Sequence, residues 1–441
     1  MNKFYITTAI PYVNASPHIG FALELIQTDV AARYQRIKLG NENVWALTGS
    51  DENSLKNVRA AEEAGEDVDS FVARHAEEYK ALQETLGLSF DDFIRTREQR
   101  HIDGAQKLWA SCKSEDIYKK TYKGLYCVGC EIFYTKKEVP DDVCPEHKKP
   151  LEEIEEENYF FKLSNYQSEL EELIESDKLK IYPKSRKNEV LSFIKQGLED
   201  FSISRSQERA KHWGVNVPGD DSQVMYVWFD ALSNYITALD YKNETEKYTE
   251  FWNSDDVKRV HVIGKGITRF HAIYWPAMLL SAGIPLPHEI FVHGYITVEG
   301  DKMSKSIGNV INPKTLVAEY GIDAVRYYFL REIPSHGDGD YSAARMEERY
   351  AELANQLGNL VSRVAAMSNK YFDGKLNDID RDWKGEEAAL EVAINEYDFK
   401  KYLDLVFEIV AKANEDVDKK APFKLVKTDE AAAKQVLSEV A

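Results

Sequence analysis

Short apolar runs rich in β-branched residues alternate with helix-period segments over the first ninety residues, and this alternation leaves few architectures open. Residues 4–9 form such a run, closed by Pro11. A helical pattern follows over 19–37, then a second buried-strand pattern over 44–47 that ends in Thr48-Gly49-Ser50-Asp51. Helical segments fill 55–64 and 68–86. Strand, helix, strand, helix in that order predicts a parallel sheet with helices on both faces. Strand-like runs return at 225–229, 257–263 and 290–297. The stretch between is charged, turn-rich and cysteine-bearing. The expectation is an α/β domain split over 1–112 and 223–297, with an insertion over 113–222. A linking segment over 298–350 and a helical domain over 351–441 complete it. In the last, Leu353, Leu357, Leu360, Val361, Val364 and Met367 recur at helical spacing as one apolar stripe.

With 441 residues the chain has room for about three domains of ordinary size. Its formal charge of −19 repels nucleic acid at long range, so a polyanionic partner must be met by local basic patches. No run approaches the roughly 20 apolar residues of a membrane helix. Residues 1–11 are too short and polar for a signal peptide. Four cysteines exclude a disulfide scaffold. The expected compartment is the reducing cytoplasm, with no membrane and no DNA among the partners.

Three of those cysteines are patterned. Cys127-Val-Gly-Cys130 and Cys144-Pro-Glu-His147 are two C-x-x-[CH] knuckles, a spacing that suits tetrahedral Zn2+. Four protein ligands leave no open position, so the metal would be structural and would fold an insertion with little core of its own. A redox pair would leave the second knuckle unexplained. Cys112 reads as a small buried apolar residue.

Neither G-x-x-x-x-G-K-[ST] nor G-x-G-x-x-G occurs, so a nucleotide would need another device. Pro17-His18-Ile19-Gly20 stands where the first strand hands over to the first helix, and helix N-termini attract phosphate. Lys302-Met303-Ser304-Lys305-Ser306 follows a later strand, and two lysines three apart could neutralise a triphosphate. Alone, the histidine is more often a cap and the lysines a solvated surface. Together, each after a strand, they are far more specific.

These two signatures resemble those of class I aminoacyl-tRNA synthetases. Ile6-Thr-Thr-Ala-Ile-Pro-Tyr-Val-Asn14, Tyr226-Val-Trp-Phe-Asp-Ala231, Phe270-His-Ala-Ile-Tyr-Trp-Pro276 and Phe291-Val-His-Gly294 are similar to motifs of the methionyl-tRNA synthetases. The resemblance covers essentially the whole chain. It implies an α/β, Rossmann-like catalytic domain with a zinc-binding insertion, followed by an α-helical anticodon-binding bundle. It also implies a ligase that forms methionyl-adenylate from L-methionine and ATP with Mg2+. The methionyl group would then pass to the terminal adenosine of initiator and elongator methionine tRNAs.

The resemblance further implies residue roles. His18 would stabilise phosphate charge, with Gly20, Gly294 and Ser304 around ATP. Lys302 and Lys305 would clamp the departing pyrophosphate, assisted by Arg205. Asp51 would take the ammonium of methionine, and Ala9, Ile10, Tyr12, Trp228, Ala231, Tyr235, Ile267 and His271 would form the amino-acid pocket. A thioether offers no strong hydrogen bond, so aromatic walls suit it. Asn359, Arg363 and Phe423 would read the anticodon; without the resemblance they are a solvated helix edge and a core phenylalanine.

The chain departs from the family at Phe21, where a polar residue is usual, at Asn53-Ser54, at Gly266 and at Phe423 in place of tryptophan. It also ends earlier than the family's bundle, so fewer terminal helices are expected. Two alternatives stay open on sequence alone. One is a sister ligase for another apolar amino acid; the other is a non-enzymatic paralogue that binds tRNA or adenylate.

Overall fold

The computed structural model describes residues 1–129, 132–134, 139–146, 148–303, 308–379 and 384–441. The chain divides into two compact units, residues 1–293 and 294–441.

The first unit is built on a six-stranded, wholly parallel sheet. Its order is Asp92–Arg95, Val44–Ser50, Lys3–Thr8, Val257–Gly264, Glu289–His293 and Lys180–Tyr182. The central strand Lys3–Thr8 is buried over residues 4–8, which is why its sequence is a continuous run rather than an alternation. Its two threonines are satisfied inside the sheet layer. Thr7 Oγ1 lies 2.8 Å from His261 Nδ1, and the Thr8 hydroxyl donates to Thr48 Oγ1 at 2.7 Å. Trp275 Nε1–H donates to His261 Nε2 (3.2 Å), so the proton of that neutral ring sits on Nδ1 and goes to Thr7.

The chain leaves Lys3–Thr8 towards Val44–Ser50 on one side, and Val257–Gly264 lies on the other. The order therefore reverses beside the central strand. At such a switch point the connections diverge and leave a crevice at the carboxyl ends. The long helix Ile19–Leu39 opens at this edge and packs back on the sheet.

The intervening stretch carries a four-stranded antiparallel sheet. Strands Ile117–Cys127 and Glu152–Phe161 pair over ten residues at its centre. The same stretch returns to lend Lys180–Tyr182 to the edge of the main sheet.

Two of the runs read as strands differ: 290–297 is two strands, Glu289–His293 in the first unit and Ile296–Val298 in the second. The run 225–229 is not a strand. Strand Asp220–Met225 ends at Met225, and Val227–Leu232 is helical. An apolar run of five residues does not distinguish a strand from a short buried helix, and packing decided it.

The second unit holds a three-stranded sheet of Asp301–Lys302, Ile296–Val298 and Gly339–Tyr341, followed by helices. Leu360 and Val364 of helix Asn359–Phe372 pack with Val410, Val417 and Leu437. Val361 is a correction, being 58% exposed and thus off the apolar stripe. Residues Leu353–Gly358 wind as a π-helical turn, which shifts the phase on which the stripe was drawn.

Candidate active site

The site gathers at the carboxyl ends of the strands in the first unit. Past Thr8 the chain kinks at Pro11, and Tyr12 pairs in parallel with Asp51 beyond the strand ends. The Asp51 amide donates to Pro11 O at 2.8 Å, fixing the two segments together. Asp51 is buried, and the Asn53 amide donates to its Oδ1 at 3.1 Å. Glu52 turns the other way into a two-bond pair with Arg95, Nε to Oε1 at 2.7 Å and Nη2 to Oε2 at 2.9 Å. That pair raises the Arg95 pKa and anchors the turn carrying Asp51.

Opposite stands an aromatic wall. The Trp228 indole stacks on Phe270 with centroids 3.8 Å apart and planes 6° from parallel. Tyr12 meets Trp228 edge-on at 6.3 Å, and His271 does so at 6.4 Å. Phe270 and His271 lie in a π-helical turn, Phe270–Tyr274, a wide turn that often marks functional sites. His271 Nδ1 donates to Ile267 O at 3.0 Å. Its Nε2 therefore accepts, and the Tyr235 hydroxyl donates to it at 2.6 Å. Burial holds the His271 imidazole down at about 4 and pushes the Tyr235 hydroxyl well up, so both are neutral. The uncharged aromatic wall thus reaches the buried Asp51 through Tyr12, which pairs with Asp51 and meets Trp228. Ala9 and Ala231 are buried, and Ile10 and Ile267 are half-buried.

His18 caps the helix Ile19–Leu39, its Nδ1 accepting the Gly20 amide at 3.0 Å. The ring edge reaches solvent, but protein atoms crowd around it and this desolvation lowers its pKa. With Nδ1 accepting, the neutral ring carries its proton on Nε2, a donor at the positive end of a helix. Phe21 takes no polar role. It meets Tyr79 edge-on at 5.5 Å and packs beside Val13 and Phe71. Asn53 turns its side chain inward to Thr96 O and Asp230, and Ser54 caps helix Leu55–Ala64. Gly266 is exposed in the turn Lys265–Ile267. Arg205 is buried, its guanidinium 4.6 Å from the Tyr126 ring centroid and 4.9 Å from that of Tyr226.

Two participants carried no legible signal. Glu24 is buried in the first helix, where it accepts the Ala9 amide (2.8 Å) and pairs with His293 Nε2 (2.8 Å). It looks like any polar helix residue in the sequence. Phe270 was visible only as the neighbour of His271.

The remaining candidates belong to the second unit or lie outside the described residues. Lys302 pairs with Thr297 across a hairpin, and the Asn309 amide donates to Lys302 O at 3.2 Å. Ser304 and Lys305 lie outside the described residues. At Gly294 an added Cβ would stand 2.1 Å from Gly337 O, so only glycine fits. Asn359 is exposed, Arg363 donates to Asp418 Oδ1 at 2.7 Å, and Phe423 is 41% exposed.

Cys127 ends the strand Ile117–Cys127 and is buried. Cys144, also buried, sits in a tight turn in which the Lys148 amide donates to its carbonyl at 2.8 Å. Cys130 and His147 lie outside the described residues. Among the described residues no group of three or more His, Cys, Asp or Glu is placed to hold a metal.

A family profile described as class I tRNA synthetases (M) matches residues 4–153 and 146–365. The chain belongs to the methionine family of class I tRNA synthetases. The methionine–tRNA ligase of Brucella suis biovar 1 is 44% identical over 451 residues, covering 99% of this chain and 86% of the relative. That of Caldanaerobacter subterraneus subsp. tengcongensis is 43% identical, covering 97% and 67%. Mycobacterium tuberculosis methionyl-tRNA synthetase in complex with methionyl-adenylate superposes with a TM-score of 0.91 at 37% identity, over 100% of this chain and 88% of the other. No helix among the described residues is long and apolar enough to cross a membrane.

Proposed function

We propose that this cleft carries out methionine–tRNA ligation in two displacements. A carboxylate oxygen of methionine attacks the α-phosphorus of ATP. The α-phosphorus bond to the bridging oxygen breaks, and pyrophosphate leaves with Mg2+. A ribose hydroxyl of the terminal adenosine of a methionine tRNA then attacks the adenylate carbonyl. An ester forms, AMP leaves and the hydroxyl proton passes to solvent. Neither step needs a covalent enzyme intermediate, so the protein contributes position and charge stabilisation.

The observation that carries the reading is the convergence of Asp51 with Tyr12, Trp228 and His271 at the switch point. Asp51 takes the ammonium. Tyr12, Trp228 and His271 surround the thioether, where sulfur–ring contacts supply recognition. The neutral Tyr235–His271 pair keeps charge away from that end. His18 Nε2–H donates to a phosphate oxygen, with the Gly20 amide turned back onto His18 Nδ1. Lys302 and Lys305 draw off pyrophosphate, aided by Arg205. Asn359, Arg363 and Phe423 read the anticodon shared by initiator and elongator methionine tRNAs, with the exposed Phe423 ring as stacking face. ATP and tRNA pools place the reaction in the cytoplasm.

Cys127, Cys130, Cys144 and His147 would hold Zn2+. Two of these donors are buried thiols, one in a tight turn, which suits a soft tetrahedral ion. When bound, the metal supplies fold stability to the knuckle rather than chemistry.

Methionine-dependent exchange of labelled pyrophosphate into ATP tests the reading. Pure protein should exchange with methionine and outperform leucine and valine. No exchange with methionine would overturn it.

A further inference from the structure

Asp230 is fully buried in helix Val227–Leu232, and the proposed chemistry does not use it. Its Oδ2 accepts from Asn53 Nδ2 at 3.2 Å. Its Oδ1 has no hydrogen-bond partner among the described residues and lies 3.7 Å from His101 Nε2, which has none either. His101 is itself fully buried, with Nδ1 2.9 Å from Thr237 Oγ1. A desolvated carboxylate with so few partners is costly to keep in the core, so packing alone does not explain it.

The connections of Asp230 show what it can do. Asn53 divides its amide between Asp230 and Thr96 O (3.2 Å), while its backbone N–H holds Asp51 Oδ1. The helix carrying Asp230 also carries Trp228 and Ala231. One carboxylate therefore ties the turn bearing the ammonium site to the helix bearing the thioether wall.

We propose that Asp230 is a positioning residue that fixes the span between Asp51 and Trp228, acting through Asn53, and so sets the length of amino acid the pocket accepts. This rests on the ligase reading and deepens it. It also gives Asn53 a function in this chain: its backbone N–H holds Asp51 while its side-chain amide reaches Asp230.

The test compares Asp230→Leu, which keeps the shape and removes the acceptor, with Asp230→Asn, which keeps an oxygen for Asn53. Steady-state pyrophosphate exchange is measured with methionine, with ethionine (one methylene longer) and with varied ATP. For Asp230→Leu the methionine KM should rise about tenfold while the ATP KM stays within about twofold. The preference for methionine over ethionine should fall at least about threefold. Asp230→Asn should restore the methionine KM to within about threefold of the original. Asn53→Ala cuts the same tie from the other side, keeps the backbone N–H to Asp51, and should copy Asp230→Leu; it decides the matter if the leucine variant does not fold. Methionine and ATP KM moving together, or unchanged discrimination against ethionine, would overturn the proposal. A wild-type protein that gives no methionine-dependent exchange would instead overturn the ligase reading, and it would do so before any variant is made.

Discussion

The Tyr235 hydroxyl donates to Nε2 of His271 across 2.6 Å, and because His271 Nδ1 donates to Ile267 O, that bond fixes a single neutral tautomer beside Trp228. A neutral ring there suits the proposed thioether site. Tyr235→Phe removes the donor and leaves a buried ring nitrogen without one. The expected cost is about 1–3 kcal/mol of stability, with a higher methionine KM. Urea unfolding and the exchange assay check both; unchanged stability would show that the bond is not formed.

The same histidine makes stability depend on pH. Its folded pKa of about 4 lies below the ordinary value of 6.5, so the unfolded chain takes up its proton first as pH falls. The stability tied to the neutral ring is complete above pH 6.5 and is lost progressively down to about 4. At pH 5 the loss is about 2 kcal/mol from this group. The drop in unfolding free energy between pH 7 and 5 should shrink by that amount in His271→Gln. An equal drop in both proteins would mean the ring titrates normally.

Gly49 leaves no room for a side chain. An added Cβ would stand 2.2 Å from Ile94 O and 2.6 Å from Ile94 Cγ2, and a backbone oxygen cannot swing aside. Gly49→Ala should push strand Val44–Ser50 away from Asp92–Arg95 and cost about 1–3 kcal/mol. Asp51 lies just past the end of that strand, so the methionine KM should rise as well. Thermal unfolding and exchange kinetics measure the two effects; a substitution without effect on either would mean the strands separate freely.

Lys305→Ala should slow adenylate formation strongly while leaving methionine affinity nearly unchanged, because the leaving pyrophosphate gains further negative charge as the bond breaks. Single-turnover kinetics with equilibrium methionine binding separate the two quantities. An equal loss of both would assign the lysine to ground-state binding.

Metal analysis of the purified chain should find one Zn2+ per molecule, and Cys144→Ser should lower that content. A chelator should loosen the knuckle and expose it to protease before the six-stranded sheet unfolds. Full metal content in Cys144→Ser would remove that cysteine from the ligand set.

The sequence by itself determined the strand–helix alternation that starts at the central strand, because a strand buried on both faces shows no polar alternation and a helix must repeat at its own period; the edge strands Asp92–Arg95 and Lys180–Tyr182 were not legible in it. It also determined which chemical groups were available: Asp51 past the second strand, His18 at the start of the first helix, and aromatics in Tyr226–Ala231 and Phe270–Pro276. Tertiary structure alone decided how those groups meet. Residues 227–229 read as strand but are helical, since a short apolar run carries no period of its own. Val361 fits the stripe by spacing yet faces solvent after a π-helical turn. The Trp228–Phe270 stack, the Glu24–His293 pair and the Asn53–Asp230 link join residues 42 to 269 positions apart, and their partners are set by the order of strands in the sheet. Local propensity acts over a few residues, whereas the direction of a buried polar side chain is fixed by whichever distant group arrives within hydrogen-bonding reach.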